Sequence, residues 1–227
     1  MSTSFDDIYC LNSIIKQDAE IQTLTTNNKY ALYYLYLQFS ISYFLADCYK
    51  NLSDITPFSQ TEYNFISDGN DNQYFLTPEP INGSKLYVGY RENANLPFTE
   101  IPLSEYIYDS TTCILTLLNN PPLNYLIYVG AYIVGKFNAD LIITEKTILA
   151  EGMNVPFDQG QLQKNSLLNM MVYGGTTKMY SQANHISELR NTTNNQYYNI
   201  VRGQINEYTY KYNPRHLKGL ASGGGCG

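Results

Sequence analysis

The sequence predicts an α+β protein, built as a helical bundle with an inserted small antiparallel β-sandwich or barrel. Three observations predict this fold class. Apolar residues recur at helical spacing over residues 6–52, and helical spacing returns over residues 138–212. Between them, residues 62–137 form short strand-like runs that are separated by turn residues.

These changes of period predict the domain organisation. We expect a discontinuous helical bundle of residues 1–57 plus 138–218, because the helices before and after the strands can pack on each other. Residues 58–137 form the inserted β-domain in this interpretation. Residues 219–227 are rich in glycine and predict a flexible tail.

The first predicted helix covers Asp6–Leu24, where Ser4 or Asp6 can cap the start. The second covers Lys29–Leu52, and within it the stretch Tyr30–Ala46 carries no charge. That stretch falls short of the ~20 apolar residues that span a bilayer, and it contains five tyrosines and several polar residues. We therefore expect a helix that is buried in a bundle or between subunits, and no membrane contact.

The strand region contains about six predicted strands. Asn82-Gly83 is a strong hairpin signal, and Gly130 marks either a bulge or a point of close backbone approach. The predicted strands are Tyr63–Ile66, Tyr74–Leu76, Lys85–Tyr90, Tyr106–Tyr108, Thr112–Leu118 and Tyr125–Val134.

After the strands the pattern predicts three helices. Asn138 or Asp140 can cap the first of them, and a loop follows through Asn154, Pro156 and Gly160. The predicted helices are Ala139–Glu151, Gln161–His185 with an interruption at Gly174-Gly175, and Ile186–Tyr212.

The composition favours contacts with other protein. The chain has 227 residues, a net charge of −6 and only 15% charged residues, against about 25% in an average protein. It also contains 23 tyrosines, which combine a large apolar ring with a hydroxyl that suits interfaces. The alternative explanation is the codon bias of an AT-rich genome, and the two are compatible.

The four cysteines are widely spaced and show no pairing pattern. Cys10, Cys48 and Cys113 stand among apolar residues and are expected to be small buried hydrophobes, whereas Cys226 lies in the glycine tail. This usage favours a reducing compartment. The first residues lack the basic and apolar regions of a signal peptide.

The motifs that could carry chemistry are weak, and we predict no catalytic, cofactor-binding or metal-binding residues. The two histidines, His185 and His216, have no ligand partner at helical spacing. Asp68–Glu79 departs from a calcium loop because Gln73 stands where glycine is required. Gly174–Lys178 lacks the spacing of a phosphate loop. No enzymatic activity is therefore expected.

One basic cluster stands out on the acidic chain. Lys211, Arg215, His216 and Lys218 lie close together at the end of the last predicted helix. They could contact DNA or an acidic protein partner. The alternative is that they only complement the negative end of the helix dipole, which contributes a few tenths of a kcal/mol for each cation.

The strand region resembles the small β-modules that decorate structural proteins of tailed phages. The resemblance rests on Asp68-Gly69-Asn70 before a strand, Asn82-Gly83 before Lys85–Tyr90, Glu105–Asp109, and Asn120-Pro121-Pro122 before the last strand. Leu123-Asn124 stand where these modules often have Asp-Gly, and the resemblance covers about a third of the chain.

With helices on both sides, such a module resembles a head-to-tail connector, or neck, protein, as in crAss-like phages. The resemblance implies a homo-oligomeric ring, usually of twelve copies, that docks to the portal protein and to other neck or tail proteins. Double-stranded DNA would pass through the channel without sequence-specific binding. The implied location is the virion, after assembly in the host cytoplasm. Two alternatives stay open, namely another tail or baseplate protein, and a carbohydrate-binding or adhesin-type module that uses tyrosines of the β-region.

Overall fold

A computed structural model describes residues 2–161, 191 and 196–212 of the chain. It contains helices and antiparallel sheets, and the α+β class is confirmed. The chain forms two compact units. Unit one holds the described residues up to Gln17, Tyr33–Thr56 and the described residues from Lys136 on; unit two holds Asp18–Leu32 and Pro57–Gly135.

The first predicted helix is wrong as a continuous element, because the chain forms three short helices there. They are α1 (Phe5–Tyr9), α2 (Ser13–Gln17) and α3 (Ala19–Gln22). Asn12 interrupts the first pair, because its Oδ1 accepts the Ile15 N–H at 3.0 Å. Asp18 caps α3 by accepting the Ile21 N–H at 2.9 Å. Such side chains compete with the helical hydrogen bonds of their neighbours.

The second predicted helix exists, but it is displaced towards the N-terminus. Helix α4 runs from Thr26 to Phe44, whereas the sequence pattern extended it to Leu52. After α4 the chain turns, which brings Cys48 and Lys50 to the side chain of Glu145 on a later helix. The apolar pattern continues through this turn, so periodicity alone did not reveal where the helix ends.

A small three-stranded sheet, which was not predicted, belongs to unit one. Its strands are β1 (Thr3–Ser4), β2 (Ile55–Thr56) and β10 (Lys136–Phe137), and β10 lies between the other two in antiparallel pairing. Two-residue strands are too short to show alternation. The sheet joins three distant parts of the chain within unit one.

Helix α5 (Ile143–Gly152) begins later than predicted. Asn138 and Asp140 do not cap it; Asn138 instead pairs with Asp54 through its backbone N–H and its side-chain amide. The N–H of Ile142 is accepted by Glu145 Oε2 at 2.7 Å, so a glutamate in the first turn satisfies the helix start.

The predicted loop through Pro156 and Gly160 is wrong, since residues 154–161 are helical; we call this described segment α6. Pro156 lies in its first turn, where its missing N–H costs nothing. A π-helical segment, Gln196–Val201, leads into α7 (Arg202–Tyr212). Most of the helix predicted over Gln161–His185, including Gly174-Gly175, and the tail 219–227 lie outside the described residues.

The core of unit one is built by side chains from α1, α4, β10, α5 and α7. Phe5 packs edge-on against Phe137 with ring centroids 5.0 Å apart, and Phe44 packs edge-on against Tyr208 at the same distance. The fully buried residues of this unit include Phe5, Ile8, Ile15, Leu37, Phe44, Leu52, Phe137, Ile148, Leu149 and Met153.

Unit two contains two antiparallel sheets. The first has the order β3 (Ser59–Ile66), β9 (Leu126–Ile133), β5 (Lys85–Arg91) and β6 (Thr99–Glu100). The second has the order β4 (Gln73–Phe75), β8 (Ile114–Leu117) and β7 (Tyr106–Asp109). A short 3₁₀ helix, Leu103–Glu105, precedes β7. The predicted long strand Tyr125–Val134 is confirmed as β9, which pairs on both sides.

Both sheets of unit two contribute to one apolar core. The first sheet and the connection after β6 contribute Tyr63, Val88, Ile101, Ile127, Val129 and Ala131. The second sheet and the residue after β4 contribute Tyr74, Leu76, Tyr106, Leu115 and Leu117. On the other face of β9, the predicted close approach at Gly130 is confirmed. A Cβ there would lie 2.8 Å from Cγ of Asn27 on α4, which is too close for any side chain.

The cysteine prediction is wrong in part. Cys10 is exposed, and Cys48 and Cys113 are half-buried; all three are free thiols. Cys10 lies in the turn after α1. Its neighbours Ile8 and Tyr9 are buried, whereas Cys10 itself is exposed to solvent. Among the described residues, α4 included, no helix has the length and apolarity to cross a membrane.

Candidate functional site

The predicted basic cluster is described only at Lys211. This residue lies in the last turn of α7, exposed, with its Nζ 3.8 Å from Glu207 Oε1 one turn earlier. Arg215, His216 and Lys218 lie outside the described residues. Contact of this cluster with the portal or with DNA therefore stays a prediction.

The segment that superficially matches a calcium loop forms a local turn. Oδ1 of Asp68 accepts the N–H groups of Asn70 at 2.9 Å and Asp71 at 2.8 Å. These backbone hydrogen bonds lower the pKa of the Asp68 carboxyl. Within residues 2–161, 191 and 196–212, no cluster of three or more acidic, His or Cys residues could hold a metal ion. His185 and Gly174–Lys178 fall outside these ranges.

Helix α4 exposes an uncharged strip of side chains in unit one. Leu35 is 48% exposed and Phe39, one turn later, is 47% exposed. Gln38 and Ser42 are exposed on the same side, and Leu45 follows just after the helix. We call these five residues the α4 stripe. Helix α4 carries no charged side chain after Lys29.

Unit two exposes a second apolar surface, on the outer face of its three-stranded sheet. The register places Phe75, Ile114 and Asp109 in one row across the strands, and Gln73, Thr116 and Ile107 in the next. Phe75 is 64% and Ile107 is 61% exposed. We call Phe75, Ile107 and Ile114 the sheet patch. Its contiguity matters, since exposed apolar patches on soluble domains commonly mark interaction sites.

A buried polar network lies inside unit one around Glu145, whose side chain is fully buried. Glu145 Oε2 accepts from Lys50 Nζ at 3.0 Å, and Oε1 accepts from the Tyr208 hydroxyl at 2.7 Å. The thiol of Cys48 lies 3.6 Å from that hydroxyl. The network connects the turn after α4 with α5 and α7.

The environment of this network raises the pKa values of Tyr208, Cys48 and Lys50. Burial and the adjacent Glu145 raise the pKa of the Tyr208 hydroxyl above its usual value. Burial raises the pKa of the Cys48 thiol. For Lys50, burial disfavours the charged form, but the hydrogen bond and charge of Glu145 outweigh it and raise the pKa. Tyr208, Cys48 and Lys50 therefore stay protonated at neutral pH, and the network has a structural role in unit one.

A cleft of about 520 Å³ lies in unit two, and we call it the tyrosine cleft. Tyrosines from three strands line it together with charged and hydroxyl-bearing side chains. The lining residues are Thr26, Ser84, Lys85, Leu86, Tyr87, Glu100, Leu103, Tyr106, Tyr108 and Tyr132. Lys85 and Glu100 give this cleft one cation and one anion, so its charges balance.

Tyr87 is the most deeply buried tyrosine of the tyrosine cleft. Only 5% of the residue is exposed, and its hydroxyl is not among the buried polar atoms of the described residues that lack a hydrogen-bond partner. The hydroxyl lies 3.0 Å from the position that a Cβ on Gly89 would occupy. Burial, followed by the nearby Glu100 carboxylate, raises the pKa of Tyr87 to about 12. The phenol therefore stays protonated and can both donate and accept.

The sequence contained only a partial signal for this cleft. The richness in tyrosine was visible, and Tyr87 and Tyr132 lie in strands that the sequence predicted. The convergence of β5, β7 and β9 on one cleft depends on strand order, which a single sequence does not reveal. The short strand β6, which supplies Glu100, was missed altogether.

The comparisons with known proteins add no relative, since no protein family matches the sequence and no curated protein is significantly similar to it.

Proposed function

We propose that the protein is a structural subunit of a ring in the portal-proximal neck of a tailed-phage virion, where it docks to the portal protein and extends the DNA channel. The α4 stripe carries this proposal. A helix that leaves Leu35 and Phe39 about half exposed, and that carries no charged residue after Lys29, suits a contact with another subunit better than contact with water.

The energetic gain from covering this stripe is appreciable. Fully burying a leucine or phenylalanine is worth roughly 1.5–3 kcal/mol, so covering the exposed half of each contributes about 1 kcal/mol. The two residues alone would supply about 2 kcal/mol for each subunit contact. A closed ring repeats that contact around its axis, so modest contacts are sufficient for assembly.

A ring subunit needs two different surfaces, because head-to-tail contacts join one face of a subunit to another face of its neighbour. The α4 stripe in unit one and the sheet patch in unit two are two such surfaces, and they differ in composition. Acidic Asp109 stands in a row of the sheet patch, whereas the α4 stripe is uncharged. The pair therefore supports a heterologous, ring-forming contact.

The remaining parts of the proposal extend the resemblance to connector proteins. We propose that residues 1–57 plus 138–218 act as a helical bundle, and that residues 58–137 form a sandwich inserted in it. The portal and other neck or tail proteins are the proposed partners, with twelve copies in the ring. Lys211, Arg215, His216 and Lys218 would contact the portal or the passing DNA. The role is structural, without catalysis, cofactor or membrane contact.

A charge placed in the α4 stripe tests this proposal. Leu35→Glu should abolish ring formation by the full chain mixed with the portal protein of the same virus, as viewed by negative-stain electron microscopy. Leu11→Glu is the matched control, because Leu11 is 43% exposed in unit one but lies outside the stripe. This control variant should still form rings.

Two outcomes would contradict the proposal. The wild-type chain could remain monomeric with and without the portal protein, which would exclude a portal-docked ring. Alternatively, labelled protein could be located at the distal tail of the virion, which would favour a tail or baseplate protein.

A further inference from the structure

We propose that the tyrosine cleft of unit two binds a saccharide of one or two sugar rings. This inference goes beyond ring assembly and does not depend on it. The cleft measures about 520 Å³, within the usual range of roughly 300–1,000 Å³ for small-molecule sites. All of its lining residues belong to unit two.

The hydroxyl of Tyr87 is the first group that a ligand in the cleft could use. Tyr87 is 95% buried and lines the cleft. Because the residue is packed within the protein, its side chain is held in place before a ligand binds, which lowers the entropic cost of binding. A phenol hydroxyl can donate a hydrogen bond to a ligand and accept one from it.

The glycine at position 89 shows how this hydroxyl is accommodated. Gly89 lies two residues after Tyr87 on β5, so both are on the same face of the strand. A Cβ at Gly89 would lie 3.0 Å from the Tyr87 oxygen and 3.1 Å from the Thr99 carbonyl oxygen. The absence of a side chain at Gly89 therefore leaves room for the phenol beside Thr99 and the neighbouring Glu100.

The mixture of charges and hydroxyls points to a neutral ligand that carries both donors and acceptors. Glu100 offers an acceptor, Lys85 offers a donor, and Ser84 and Thr26 add hydroxyls. An anion such as phosphate would meet the Glu100 carboxylate, and an organic cation would meet the Lys85 ammonium. Sugar hydroxyls can donate to the carboxylate and accept from the ammonium in one orientation.

The aromatic rings favour hydrogen bonding at their hydroxyl ends over recognition of a cation on their faces. The Tyr132 ring is stacked on Tyr30 at 5.2 Å, and the Tyr87 ring contacts Tyr128 at 6.0 Å. Stacking thus covers one face of the Tyr132 ring, whereas the Tyr87 and Tyr128 rings meet at a tilt of 59°. Leu103 is 80% exposed at the cleft and offers an apolar wall for the C–H face of a sugar.

Binding of four disaccharides to the full chain tests the inference. Maltose, cellobiose, lactose and N,N′-diacetylchitobiose are screened by saturation-transfer difference NMR, and binders are measured by titration calorimetry. We expect at least one of them to bind. Tyr87→Phe, which removes only the hydroxyl, should weaken that binding roughly five- to tenfold. Glu100→Gln should weaken it as well.

The matched control is Tyr125→Phe, because Tyr125 is a half-buried tyrosine of unit two outside the cleft, and its affinity should stay within twofold of wild type. Tyr87→Phe keeps the buried ring and removes only the hydroxyl, so it should unfold close to the wild-type temperature. Thermal unfolding of the variant therefore shows that a loss of binding is not a loss of fold.

Three results would overturn the inference. None of the four disaccharides could bind at millimolar concentration. Tyr87→Phe could bind as tightly as wild type, which would place the sugar elsewhere. Finally, lysine amide or inorganic phosphate could bind in the cleft where the sugars do not, which would assign the site to a charged ligand.

Discussion

Replacing Tyr208 with phenylalanine should measure how much the Glu145 network holds unit one together. The substitution leaves the ring in place between Phe44, at 5.0 Å, and Tyr49, at 5.7 Å. It removes the 2.7 Å hydrogen bond to a carboxylate that is fully buried. Hydrogen bonds to charged groups contribute about 1.5–3 kcal/mol, and the Cys48 thiol at 4.0 Å is a weak substitute. We therefore expect Tyr208→Phe to lower the free energy of unfolding by about 2–3 kcal/mol.

Urea unfolding followed by far-UV circular dichroism measures this loss. Tyr210→Phe is the matched control, since Tyr210 lies on the same helix, is 71% exposed, and should change stability by less than about 0.5 kcal/mol. If Tyr208→Phe were as stable as Tyr210→Phe, the network would not contribute to stability and the reasoning would be refuted.

Three further predictions concern pH and glycine positions. The folded-state pKa values of Tyr208 and Lys50 are raised, so their contribution to the free energy of unfolding is full below about pH 10 and is lost at higher pH. Tyr208→Phe should therefore lose less stability at alkaline pH than wild type, as measured by urea unfolding at several pH values. Gly152→Ala should lower stability by about 1–3 kcal/mol, because its Cβ would lie 2.2 Å from Ser40 Oγ. Gly203→Ala, which has open space around it in α7, should raise stability by about 0.5–1 kcal/mol. Thermal unfolding midpoints equal to that of wild type would contradict both. Gly130→Ala should destabilise unit two by a similar 1–3 kcal/mol in the same assay, and no change would show that Asn27 can move away.

The elements that the sequence predicted well are those in which local pattern and tertiary packing agree. Alternation predicted β5, a long apolar run predicted β9, and apolar residues at helical spacing predicted the helix that became α4. The pattern erred where one side chain redirects the backbone. Asn12, for example, accepts the Ile15 N–H and donates to the Ala150 carbonyl at 2.7 Å, a contact 138 residues away in sequence.

Much less of the candidate sites could be predicted. The sequence showed that tyrosines are numerous, but it did not show that Tyr87 and Tyr132 share one cleft, because that depends on β5 pairing with β9. The Glu145 network was invisible for the same reason, since Lys50 and Tyr208 reach the carboxylate from distant parts of the chain. Single-sequence patterns do not encode these long-range contacts.

The assembly state of the full chain tests the central proposal most directly. Native mass spectrometry of the protein with its portal protein should show a complex that contains many copies of the 25.9 kDa chain, twelve if the resemblance to connector proteins holds. Leu35→Glu should remove the multi-copy complex. A single 25.9 kDa species at every concentration, with and without the portal protein, would contradict the proposal that this protein forms a ring.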